Sequence, residues 1–204
     1  GKSTLIKVIA GYHQANKGEI YFAGKKVKIS SPKDARALGI ETVYQEQALA
    51  PHLSISRNIF MGREPSRVLG FLRKDVMNDE SMGALRSIGL KLRSPDIPIA
   101  TLSGGERQGV AIARALHFKA KLVILDEPTI ALSVKEVREV LEFVRELKRK
   151  DISVIFITHN LNQIFTIADR IVVLSHGEKL VDIEKKDTTI DKLSEIIVRG
   201  TLGE

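Results

Sequence analysis

Leu122-Val123-Ile124-Leu125-Asp126-Glu127-Pro128 is the stretch that decides the fold. Its apolar run has the length and composition of a strand buried on both faces, as in a parallel sheet. It ends in two adjacent carboxylates and a proline that cannot continue a ladder. Residues 152–157 form a second short, β-branched apolar run. Between the two, Val134, Val137, Val140, Leu141, Val144 and Leu147 recur at helical spacing. Strand, helix and strand in that order are the unit of a parallel α/β sheet.

The pattern extends in both directions. Residues 18–29 alternate around Gly24 like a hairpin, and residues 40–44 read as a further strand. Residues 171–174, then His176-Gly177, then 179–183 read as a closing hairpin. The stretch 48–100 is different: it carries Pro51, Pro65, Pro95 and Pro98, lacks a convincing strand, and shows helical patterns over 54–61 and 74–88. It reads as a mostly helical lobe inserted into the sheet domain. A chain of 204 residues is long enough for one sizeable core.

Composition narrows the function classes. No run approaches the about 18 apolar residues of a membrane span. With no cysteine, disulfides and thiolate zinc sites are excluded, which suits a reducing compartment. The net charge of +7 invites a nucleic-acid reading, but the densest basic cluster, Lys148-Arg149-Lys150, ends a helical pattern, where cations complement the helix dipole. Aromatic residues at 5% leave few platforms for stacked bases.

The chemistry gathers at strand ends. Asp126 leaves a buried strand where its carboxylate can hold magnesium, and Glu127, one residue on, can polarise an attacking water. His159 follows the strand 152–157 and Thr158, which places it on the same sheet edge, where ligands of open parallel sheets bind. Its imidazole suits a terminal phosphate. Gln45 leaves the strand 40–44 and suits magnesium or the attacking water. His13, His52, His117 and His176 lack such company and read as surface or loop residues.

Gly1-Lys2-Ser3-Thr4 matches the last positions of a phosphate-binding loop, with a helix continuing over 5–10. In such a loop the lysine reaches the β- and γ-phosphates, the next hydroxyl holds magnesium, and amides at the helix N-terminus complete the anion site. Alone, the tetrapeptide is an ordinary polar start; beside Asp126 and Glu127 it reads as a nucleotide site. Leu102-Ser103-Gly104-Gly105-Glu106 is a second glycine turn opening a helix, again suited to a phosphate oxygen.

Gln45, Leu102 to Glu106, Leu122 to Pro128 and His159, in this order, resemble the nucleotide-binding domain of an ATP-binding-cassette transporter. The resemblance covers essentially the whole chain. It implies one cassette domain with a RecA-like P-loop NTPase core over 1–47 and 108–204, its sheet mostly parallel, plus an inserted α-helical subdomain over 48–107 that bears the signature turn. It further implies a head-to-tail dimer. ATP held by Gly1, Lys2, Ser3 and Thr4 of one cassette would be covered by Ser103, Gly104, Gly105 and Glu106 of the other. Mg2+ would be held by Ser3, Gln45 and Asp126, and catalysis carried by Glu127, His159 and Gln45. The upstream glycines of the loop and an adenine-stacking aromatic residue would precede Gly1, so the resemblance implies a chain truncated at its N-terminus.

A finer likeness joins Glu41 to Glu46, Leu53-Ser54-Ile55, Asn58 to Pro65, Gly105 to Gln108 and Ile157 to Asn160 to carbohydrate importers of the ribose, xylose and galactose type. It implies an ATPase peripheral to the cytoplasmic face of the membrane, working with permease subunits and, indirectly, a sugar-binding protein. No nucleic-acid partner is expected. One departure bears on mechanism: Ser133 stands where many cassettes carry an aspartate that links the two ATP sites, although several sugar-importer cassettes share the Ala-Leu-Ser form. Ile130, in place of a smaller residue, is a minor departure. Two rival classes are a soluble cassette ATPase acting on nucleic acid or ribosomes, favoured only by charge, and a non-catalytic nucleotide-binding cassette, against which Glu127 and His159 argue.

Overall fold

Alternation along one strand sets the layers of the molecule, which a computed structural model describes over residues 1–44, 49–66 and 70–199. Strand β4 (Leu122–Asp126) lies between β3 (Ile40–Val43) and β5 (Ser153–Ile157), parallel to both. Its Val123, Ile124 and Leu125 have no solvent exposure, each burial contributing about 2 kcal/mol of hydrophobic stabilisation. Successive side chains point to opposite faces. Ile124 accordingly joins one apolar cluster with Ile6, Ile29, Ala35 and Ile40, whereas Val123 and Leu125 join another with Val110, Phe143, Val144 and Leu147.

Helices α1 (Lys2–Ile9) and α2 (Pro32–Leu38) cover the first face. Between them stands the hairpin of β1 (Ile20–Phe22) and β2 (Lys25–Val27). The second face is covered by α5 (Gly104–His117) and α6 (Val134–Arg149), with α3 (Ile55–Phe60) and α4 (Lys74–Ser87) packed against α5. Ile55, Ile59, Met77 and Leu85 belong to the same cluster as Val123 and Leu125. The helical stretch therefore shares a core with the sheet, and α5 runs unbroken through the expected boundary at 107/108. The chain closes with α7 (Leu161–Ile167), an antiparallel hairpin of β6 (Arg170–Ser175) and β7 (Glu178–Glu184), and α8 (Ile190–Arg199).

Two sequence expectations change. An apolar, β-branched run such as 152–157 is expected to be a buried parallel strand, yet Val154, Ile155 and Phe156 of β5 are partly exposed, because among the described strands only β4 pairs with it. His117 is not a surface residue: it ends α5 half-buried, its ring 4.4 Å from Phe60 and its Nε2 3.4 Å from Glu80. Desolvation pushes its pKa below the ordinary value, against the pull of Glu80.

Candidate functional site

Three parallel strands deliver their C-terminal ends to one edge, with Val43 opposite Leu125 and Asp126 opposite Ile157. Tyr44, Asp126, Glu127, Thr158 and His159 follow directly from this register. Gln45 lies outside the described residues. Helix α1 brings Lys2 into electrostatic range of Asp126, while Lys2, Ser3 and Thr4 are all solvent-exposed. Burial raises the pKa of the Asp126 carboxyl, adjacent Glu127 raises it further, and Lys2 opposes both. The Tyr44 phenol is pushed up to about 12 by burial and by the neighbouring Tyr12, so it stays protonated.

Glu127 occupies a conformation that its residue type seldom adopts. Its φ of 49° is left-handed, a strained state for a residue with a Cβ. The strain is held by a bond from its own amide to the Ile157 carbonyl at 3.0 Å. It turns the side chain toward His159, whose Nδ1 lies 3.0 Å from Glu127 Oε1. An ionised carboxylate only accepts, so the ring N–H donates. The second oxygen, Oε2, is buried with no hydrogen-bond partner among the described residues. A buried carboxylate oxygen without a donor carries a desolvation cost, and Oε1 is the oxygen committed to His159. His159 is open to solvent at 76% side-chain exposure, against 16% for Glu127, so the imidazole can meet a ligand while it steadies the carboxylate.

The loop after Glu127 is pinned from the far side. Thr129 Oγ1 donates to Gln163 Oε1 at 2.7 Å, and Asn160, the residue after His159, caps α7 by accepting from the Gln163 amide. Neither Thr129 nor Gln163 stood out in the sequence, because their pairing spans 34 positions. A cleft of about 450 Å³ runs beside this loop, lined by Glu127, Ile130, Leu132, Val134 and His159 among others.

The Ser103 to Glu106 turn is built separately. Ser103 Oγ accepts from the Glu106 amide at 3.2 Å, and Glu106 Oε2 accepts from the Ser103 amide at 2.8 Å. That reciprocal box fixes the start of α5. No hydrogen bond or ion pair among the described residues joins this turn to Lys2, Asp126, Glu127 or His159. From outside the turn, Glu136 accepts from the Gly105 amide at 3.2 Å. Glu136 was absent from the sequence candidates, although Ser133-x-x-Glu136 repeats the capping pattern of Ser103-x-x-Glu106. Of the residues expected to hold magnesium, Ser3 and Asp126 are described, and Asp126, half-buried beside Lys2 and Glu127, fits a hard divalent ion in chemistry.

Comparison with known proteins points the same way. The family model described as ABC transporter matches residues 1–130. All 204 residues align at 47% identity with the xylose/arabinose import ATP-binding protein XylG of Sulfolobus acidocaldarius, covering 81% of it. The whole chain also aligns at 41% identity with the ribose import ATP-binding protein RbsA 3 of Rubrobacter xylanophilus, but spans only 41% of that relative's length. Among solved structures, the ADP conformation of MJ1267, an ATP-binding cassette of an ABC transporter, superposes with a TM-score of 0.79 at 25% identity, covering 97% of this chain and 83% of that one.

Proposed function

The chain belongs to the ABC transporter family, and from that premise we propose that it is the ATP-hydrolysing subunit that energises an importer of a sugar. One observation carries the reading: the Glu127 carboxylate is held by His159 at the strand edge that also presents Asp126, with Lys2 close by. Names of relatives that import xylose, arabinose and ribose support the sugar.

Lys2, at the N-terminus of α1 with Gly1, Ser3 and Thr4, binds the phosphates of ATP through its ammonium and the helix amides. Mg2+, held by Ser3, Asp126 and Gln45, would neutralise charge on the phosphates. Glu127 orients the attacking water through its carboxylate. His159 fixes the carboxylate through Nδ1 and presents its ring to the terminal phosphate. Positioning and electrostatics make up most of this catalysis.

Ser103, Gly104, Gly105 and Glu106 serve the ATP of a second cassette, arranged head to tail. The division into a core, 1–47 and 108–204, and a helical subdomain, 48–107, describes which part receives the chain's own nucleotide and which is offered to the neighbour. No helix among the described residues is long and apolar enough to cross a membrane. In this reading, supported by the import names of its relatives, the work is passed to permease subunits at the cytoplasmic face, with a sugar-binding protein choosing the solute. The test is Glu127→Gln in the intact protein: ATP binding and ATP-driven dimerisation persist while turnover falls about a hundredfold or more. Near-normal turnover in that variant would remove Glu127 from its role.

A further inference from the structure

The first turn of a helix leaves amides that need acceptors. In α5 the Glu106 amide is satisfied by Ser103 Oγ, whereas the Gly105 amide donates to Glu136 Oε1 at 3.2 Å. The Gly104 amide faces the same carboxylate. The other oxygen, Glu136 Oε2, accepts from Ser133 twice, from its amide at 2.9 Å and its hydroxyl at 2.7 Å. One carboxylate thus bridges the N-termini of α5 and α6, where two helix dipoles favour an anion. These donors bring its pKa down to about 2, so it is charged at any physiological pH.

Glycine makes the approach possible. A Cβ on Gly105 would lie 3.2 Å from Glu136 Cβ and 3.0 Å from Glu139 Oε2. Ser133 matters as a donor: an aspartate there would lack the O–H and would face Glu136 with a like charge. Resting on the function proposed above, the Gly105 amide is also the group that a neighbouring cassette's terminal phosphate would engage. One N–H cannot serve both anions, and the two repel.

We propose that Glu136 is a positioning residue that occupies the Ser103 to Gly105 turn as a resident anion, which the neighbour's phosphate displaces toward Ser133. Its displacement carries the arrival of that phosphate into residues 127–133, the segment that begins at the chain's own Glu127. Signature turn and hydrolytic loop are coupled through this one side chain.

The test uses the intact protein with Glu127→Gln, so that ATP drives association without turnover. Light scattering then gives the ATP concentration for half-maximal dimerisation. Adding Glu136→Gln, which keeps the shape and removes the charge, lowers that concentration about tenfold, the scale of one charge-assisted hydrogen bond. Glu136→Ala moves it in the same direction even though it lowers the melting temperature by loss of the cap. Ser133→Ala, which weakens the cap but leaves Glu136 charged, does not lower it. An unchanged or raised concentration in Glu136→Gln, with its melting temperature intact, overturns the proposal. A parent protein that fails to dimerise with ATP overturns the functional reading itself, and this inference with it.

Discussion

Asn58→Ala tests how the helical stretch is anchored. Asn58 is fully buried in α3, and its side chain is spent on the backbone of the preceding loop. Oδ1 accepts from the Ala50 amide at 2.7 Å, and Nδ2 donates to the carbonyls of Ala50, Leu53 and Ser54 at 3.0, 3.1 and 2.9 Å. Those carbonyls have other donors: the amides of Leu53, Ile99 and Asn58 reach them at 3.1, 3.1 and 3.0 Å respectively. The Ala50 amide has no second acceptor among the described residues. Truncation therefore leaves one orphaned N–H, at about 1–3 kcal/mol, and removes the two Nδ2 hydrogens shared among three carbonyls together with side-chain volume. We expect about 3 kcal/mol in total, a large share of the 5–15 kcal/mol roughly typical of a domain.

Asn58→Asp sharpens the experiment. It preserves volume but turns a donor into an acceptor against three carbonyl oxygens, so at neutral pH it destabilises more than alanine. Its carboxyl pKa is raised in the folded state, so relative stability is regained as pH falls and the acid form supplies one O–H. Urea unfolding of both variants at neutral and acidic pH measures this. A loss below about 0.5 kcal/mol for Asn58→Ala, or an aspartate variant more stable than the alanine one at neutral pH, would refute the reasoning.

Asp126→Asn raises the melting temperature at neutral pH while abolishing ATP turnover. The folded state disfavours the Asp126 charge through burial and Glu127, so the wild type regains stability as pH falls through that raised pKa, and the advantage of asparagine shrinks in acid. A lower melting temperature for the asparagine variant at neutral pH would contradict this. Gly11→Ala has a backbone cause: at φ 79° an added Cβ would lie 2.3 Å from the Ser31 carbonyl oxygen and 2.8 Å from Pro32 N. Unfolding titrations should show a loss of at least about 2 kcal/mol, with weakened nucleotide binding as α1 shifts.

What the sequence alone determined is local. A short β-branched run, a reversal at His176-Gly177 and a helical stripe from Val134 to Leu147 each express backbone geometry through neighbours a few positions apart, and those elements stand where the pattern puts them. Strand ends then place Asp126, Glu127 and His159 on one edge, because the strands are parallel and in register. Helices α2, α7 and α8 did not emerge from pattern alone: α2 and α7 bury at most one residue each and α8 only Leu193, so none shows a sustained apolar stripe set by burial.

Tertiary packing decided the rest. The Glu127 to His159 bond depends on a left-handed backbone at Glu127 that composition does not announce. His117 became half-buried only when α3 and α4 packed around the end of α5. Ser133-x-x-Glu136 is legible as a cap, but its reach to Gly105 exists because α5 and α6 pack closely enough for one carboxylate to serve both helix starts. Sequence distributes donors and acceptors along the chain; long-range burial determines which distant pairs come within bonding distance.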